Sequence, residues 1–240
     1  DSFNYGLSGS LRPGPQNVKI LYSSAGLDKY YISGAPATLL FDIYNASGET
    51  VEAVLETGDD QSGRREEPLA LAPKQITRHE SRPLILKRNS VDFALRGSGG
   101  IVLEKNVLSG TALAPRTASY AVCAHDGSKA DSIVSAINFI YSHYLKSASY
   151  AQTAKVNLAF APLNPLSYSG FKGIVLDGFD MASAPQAFDE TLKSYVQAGG
   201  RVIISGGRMS EIYSARTARF MKEIFSVDLN SSKIHDFDTQ

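Results

Sequence analysis

The chain has 240 residues, 43% of them hydrophobic and 20% charged, with 24 Lys and Arg balancing 24 Asp and Glu. That length holds one large domain or two modest ones, with enough apolar residues for a core that needs no staples. The apolar content and zero net charge exclude disorder as the main state, and the missing basic excess argues against a dedicated nucleic-acid binder.

No apolar run reaches the roughly 18 residues needed to span a bilayer. Cys123 is the only cysteine, so no disulfide forms within the chain and no cysteine-based zinc site exists. The four histidines, His79, His125, His143 and His235, show no HExxH spacing. The first residue is Asp1 rather than Met, which reads as a processed N-terminus or a piece of something longer.

From about Asn17 to Leu108 the pattern has period two with polar punctuation, the grammar of strands and turns. In 38–44, Leu39, Phe41 and Ile43 share one face while Leu40, Asp42 and Tyr44 share the other. The turn Asn45-Ala-Ser-Gly48 follows, then Val51, Ala53 and Leu55 alternate with Glu52, Val54 and Glu56. This predicts a hairpin with one buried and one wetter face. The polar run from Asp59 to Glu67 reads as a solvated loop. Further short strands are predicted near 76–79, 83–87, 90–95 and 101–105, with Gly97-Ser-Gly-Gly100 as a hairpin turn. Short strands at regular spacing point to an antiparallel, immunoglobulin-like sandwich.

From about Ala118 strands alternate with helices. The near-continuous apolar run 118–124 fits a strand buried on both faces. Asp126 or Ser128 can cap a helix whose stripe is Ile133, Val134, Ile137, Ile140, Tyr141, Tyr144 and Leu145. Strands are predicted at 156–161, 171–176 and 201–205. A second helix is expected near Pro185, capped by Ser183 and closed by Gly199-Gly200, and a third over 210–225. Such alternation implies parallel pairing with right-handed crossovers. The two halves meet in a Gly/Pro/Ser/Thr-containing stretch, 108–117, expected to be open to proteolysis if the interface between them is modest.

The motifs Phe171-Lys-Gly-Ile-Val-Leu-Asp-Gly-Phe-Asp180 and Phe188-Asp-Glu-Thr-Leu-Lys-Ser-Tyr-Val-Gln-Ala-Gly-Gly-Arg-Val-Ile-Ile-Ser-Gly-Gly207 resemble the class I glutamine amidotransferase-like fold. They are similar to its non-catalytic branch in bacterial envelope proteins, where a β-sandwich precedes such a module. Phe41-Asp-Ile-Tyr-Asn45 with the strand at 51–55 is similar to those sandwiches. The resemblance implies a two-domain chain: an antiparallel β-sandwich over 1–112, then a three-layer, flavodoxin-like α/β domain with a parallel sheet over 113–240. It also implies an extracytoplasmic location and a full-length protein that continues to a membrane tether.

An amidotransferase needs a thiolate on a tight strand-to-helix turn. The corresponding turn, Ile204-Ser-Gly-Gly-Arg208, holds none, and Ser205 is not in a Gly-x-Ser-x-Gly elbow. Cys123 lies two residues from His125, which on a strand is about 6–7 Å and too far for a direct hydrogen bond, so it reads as a buried small hydrophobe. The ends of the parallel strands are the default ligand crevice. They carry His125, Asp126, Asp177, Asp180, Ser205 and Arg208. Asp126, Asp177 and Asp180 have the oxygen chemistry of a cation site, and Gly206-Gly207 that of an anion cradle; the plainer reading of both is turn chemistry. Tyr22, Tyr30, Tyr31 and Tyr44 could stack sugars or simply pack the sheet.

These observations favour a non-enzymatic interaction module, with no cofactor or metal, whose partner is another protein or further domains of the same chain rather than nucleic acid. Two alternatives stay open: a hydrolase or transferase using the crevice, and a carbohydrate binder using the sandwich.

Overall fold

The computed structural model describes residues 17–59, 63–115, 118–124, 127–143, 151–178, 181–205 and 215–225. The first eleven strands are β1 (Val18–Ala25), β2 (Tyr30–Ile32), β3 (Pro36–Ala37), β4 (Leu39–Asn45), β5 (Val51–Asp59), β6 (Gly63–Leu71), β7 (Gln75–Glu80), β8 (Leu84–Ile85), β9 (Ser90–Gly97), β10 (Val102–Ser109) and β11 (Thr111–Leu113). Two antiparallel sheets dominate, with orders β1-β4-β7 and β10-β9-β5-β6. Their period-two apolar residues meet in one cluster. Leu39, Phe41 and Ile43 come from one sheet, and Ala53, Leu55, Val91, Phe93 and Leu95 from the other. Phe41 and Phe93 meet edge to face at 5.1 Å, the arrangement the ring quadrupoles favour.

Two readings of this half are corrected. The stretch after Asp59 is not all loop: Gly63–Leu71 is a strand, with Arg64, Arg65 and Glu66 exposed. Charged residues on both faces hide its period, and they suit an edge strand because they discourage pairing with other chains. Glu67 in it is buried, its carboxylate facing His79 Nε2 at 3.1 Å and accepting the Arg82 amide at 3.0 Å. The second face of β4, expected to be wetter, is dry at Leu40 and Asp42, because later chain lies on it.

Glu104 ties the two sheets together. Its Oε2 accepts the Ile20 amide at 2.7 Å, where β1 slips register against β4. Burial pushes the Glu104 carboxyl above the ordinary range, opposed by the Ile20 amide and the Lys19 charge. A raised acid binds its proton more tightly in the folded state. Its contribution therefore favours folding at acid pH and is lost as pH rises through the folded value. Glu104→Gln keeps an acceptor for Ile20 and removes the charge. Urea unfolding at a series of pH values is expected to show wild type losing stability relative to this variant as pH rises above the ordinary carboxylate range.

The rest of the described chain forms β12 (Ser119–Ala124), α1 (Gly127–His143), β13 (Gln152–Lys155), β14 (Gly173–Asp177), α2 (Phe188–Gln197), β15 (Val202–Ser205) and α3 (Ala215–Phe225). The four strands make a parallel sheet in the order β13-β12-β14-β15. Successive residues of each strand face opposite sides. Val122 and Val175 pack with Ala130 and, less deeply, Ile133, Val134 and Ile137 of α1. Ala121, Cys123, Ile174 and Leu176 pack with Phe188, Leu192 and Tyr195 of α2 and Phe220 of α3. Helices on opposite faces are what right-handed crossovers in opposite directions along a sheet require.

The second strand is Gln152–Lys155, not the apolar run predicted at 156–161. That run turns instead: Leu158–Phe160 is a short 3-10 helix, and the Asn157 side chain accepts the Ala159 amide at 3.0 Å. Its apolar residues are spent on packing rather than on a ladder. Likewise α2 begins at Phe188 rather than Pro185, with Ser183 inside a separate turn.

The segment after β13 lies on the outer face of β1-β4-β7. Phe160 stacks on Tyr22 at 4.1 Å. Arg78, paired through two bonds with Asp42, also donates to the Ala159 carbonyl at 3.1 Å. The Glu80 carboxylate accepts the amides of Leu163 and Asn164 at 2.6 and 2.9 Å. Thr38 and Ser167 share a buried hydroxyl bond at 2.9 Å. Gly170 approaches so closely that a Cβ there would run into the Ile32 side chain. The joining stretch is held too: β11 pairs with β2, and the amides of Gly110 and Thr111 reach the carbonyls of Asn89 and Lys29.

Candidate functional site

The end of the parallel sheet is the place to look for chemistry, because neighbouring loops diverge there. In the order observed, the chain leaves β12 for one side and β14 for the other, so the divergence falls between these two strands. Asp177 closes β14 and Ser205 closes β15; they are register partners. The Ser205 carbonyl accepts the Gly178 amide at 2.9 Å, which continues the ladder past the strand end. Asp177 is buried and Ser205 exposed. By strand alternation both side chains stand on the face that carries α1. His125, Asp126, Asp180, Arg208 and Gly206-Gly207 lie outside the described residues, as does His235. Of the six crevice residues, the structure therefore places two side by side. Among the described residues, no group of three or more His, Cys, Asp or Glu is arranged to hold a metal ion.

Cys123 sits on the opposite face of the sheet, 3% exposed, among Leu27, Val156, Leu158 and Tyr168. Burial pushes its thiol well above the ordinary value, and the nearby Asp28 charge adds to the push. A nucleophilic thiol needs the reverse, a lowered pKa and access. Cys123→Ser is expected to cost about 1–3 kcal/mol, the price of a buried hydroxyl in an apolar site. The measurement is urea unfolding of the variant against wild type.

Sequence reasoning missed what covers this end of the sheet. The turn between β1 and β2 inserts Leu27, fully buried, into the parallel-sheet core. The next residue, Asp28, accepts the Asn157 amide at 2.9 Å. Asn157 and Asn164 each immediately precede and cap a short 3-10 helix, accepting the amide two residues on, with Pro165 at the start of the second. Those Asn-started turns were the readable signal that the segment bends rather than runs as a strand.

The four tyrosines considered for sugar stacking do not form a free row. Tyr31 is buried and donates to the Arg88 carbonyl, Tyr30 packs against the parallel-sheet core, and Tyr22 stacks on Phe160. Burial pushes the Tyr22 phenol up to about 12. Tyr44 is half-buried on the outer face of β4.

No protein-family model matches the chain, and no curated protein matches it. Among solved structures, a Paenibacillus sp. cycloisomaltooligosaccharide glucanotransferase complexed with cycloisomaltoheptaose aligns at 9% identity and a TM-score of 0.29. The alignment covers 76% of this chain and 28% of that one. At that score the likeness carries no argument about fold or activity. Among the described residues, no helix is long and apolar enough to cross a membrane.

Proposed function

We propose that this chain is a non-enzymatic interaction module of a larger extracytoplasmic envelope protein. In this reading a β-sandwich and a flavodoxin-like, amidotransferase-like α/β unit act as one rigid body. The observation that carries it is the sealed Cys123: the only thiol is buried, its pKa is raised, and the sheet end beside it is filled by Leu27 and Asp28 from the antiparallel half. A strand end filled by the protein's own turn serves cohesion rather than turnover. The partner is another protein or further domains of the same polypeptide. The test is to express the whole gene and fractionate the cells. Recovery in the envelope is expected; recovery in the cytosol, with no signal sequence upstream, would overturn the reading.

One observation favours a second reading. Asp177 and Ser205 stand side by side at neighbouring strand ends, the placement a crevice hydrolase or transferase would use. If ester or amide substrates are turned over and Ser205→Ala abolishes it in a folded protein, this reading replaces the first.

A further inference from the structure

The turn that covers Cys123 is built against the preference of its own residues. Asp28 has φ 45° and Lys29 φ 69°. Both are left-handed, which side chains with a Cβ adopt only at a steric cost. Gly26 precedes them at φ 62°, and a Cβ there would strike the Tyr30 carbonyl. The surroundings hold this shape from several directions. The Gly26 amide reaches the Thr38 carbonyl at 2.8 Å, and Leu27 and Tyr30 exchange backbone bonds at 2.8 and 3.0 Å. The Lys29 amide donates to Ser24 Oγ at 2.7 Å, and its carbonyl accepts the Thr111 amide at 2.7 Å. Asp28 holds Asn157. The apolar anchors are Leu27, fully buried, and Tyr30, half-buried against the parallel-sheet core; Asp28 is half-buried and Lys29 exposed.

Two opposed effects therefore meet in five residues: strain at two positions, and the packing of Leu27 and Tyr30 with a handful of hydrogen bonds. Among the other described residues, no two consecutive residues that carry a Cβ are left-handed.

We propose that Gly26–Tyr30 is a strained latch over the β12–β13 end of the parallel sheet, and that it lifts as a unit before the protein unfolds globally. Lifting releases the strain, withdraws Leu27 from beside Cys123 and frees the Asn157 amide. Both cores otherwise stay intact, as expected of sub-global opening. This device is independent of the functional reading above. Cys123 serves only as its reporter, because the thiol loses its cover when the latch lifts.

The experiment follows reaction of Cys123 in the intact chain with 5,5′-dithiobis(2-nitrobenzoate), at urea concentrations below the unfolding transition. Global unfolding is measured in parallel by circular dichroism. Lys29→Val and Lys29→Gly retain the amide and carbonyl bonds of position 29 and differ from each other in the ease of the left-handed conformation; both lose the Lys29 ammonium, 6.0 Å from the Tyr30 ring centroid. Labelling is expected to depend weakly on urea and to run faster than global unfolding permits. It should be about tenfold faster in Lys29→Val and several-fold slower in Lys29→Gly. If Lys29→Val does not fold, the comparison of Lys29→Gly with wild type still decides. Labelling with the full urea dependence of global unfolding would overturn the latch, as would equal rates in variant and wild type.

Discussion

Tyr168→Ala is expected to cost about 3–5 kcal/mol, the range for removing a fully buried aromatic. Tyr168 is 0% exposed and lies between Phe188 at 6.3 Å and Tyr195 at 6.0 Å. Its hydroxyl donates to the Pro162 carbonyl at 2.6 Å, which fixes the bend of the segment docked on the antiparallel half. Burial pushes the phenol well above its ordinary value, which favours the protonated, donating form. Tyr168→Phe separates the two contributions. It keeps the ring and leaves a buried carbonyl short of its partner, at about 1–3 kcal/mol. Urea denaturation of both variants measures the difference. A Tyr168→Ala cost below about 1 kcal/mol would mean that the ring is not in the core described, since costs that small belong to surface positions.

Leu27→Ala is expected to cost about 2–5 kcal/mol and to weaken both halves together. Leu27 belongs by sequence to the antiparallel half and by packing to the parallel-sheet core. Truncating it opens a hole in the core that also holds Cys123 and loosens the turn that holds Asn157. Unfolding read at the antiparallel sheets and unfolding read at the helices α1, α2 and α3 of the parallel half should shift by the same amount. A shift confined to one of them would place Leu27 in a peripheral contact.

Much of the antiparallel half was legible because alternation is a local signal. The inward set Leu39, Phe41 and Ile43 could be read from spacing, and the structure buries all three. The charged edge strand β6 could not, since neither of its faces is apolar at Arg64–Glu66. Nor could β2 and β11, three residues each, because a three-residue strand has no measurable period. In the second half the apolar run at 156–161 misled for a physical reason. Apolar residues mark burial, and here Val156 and Leu158 are buried in the parallel-sheet core while Phe160 stacks on Tyr22 of the other half, so the run is buried without forming a strand.

The candidate site was legible to a smaller degree. The burial of Cys123 followed from the continuous apolar run around it. Asp177 and Ser205 were readable as strand ends, whereas their register partnership depends on which strands are neighbours and is seen only in the fold. The covering turn had no such signal. A left-handed pair is written with Asp28 and Lys29, residues that announce no such conformation, and Glu80 reaches Leu163 and Asn164 across more than eighty residues of sequence.

Scanning calorimetry of the intact chain tests most directly whether the antiparallel and parallel sheets form one body. A single endotherm is predicted, with calorimetric and van't Hoff enthalpies in agreement, because Leu27, Glu80, Arg78 and Asp28 bind each half to the other. Two resolved endotherms, one of them unmoved by Leu27→Ala, would contradict it.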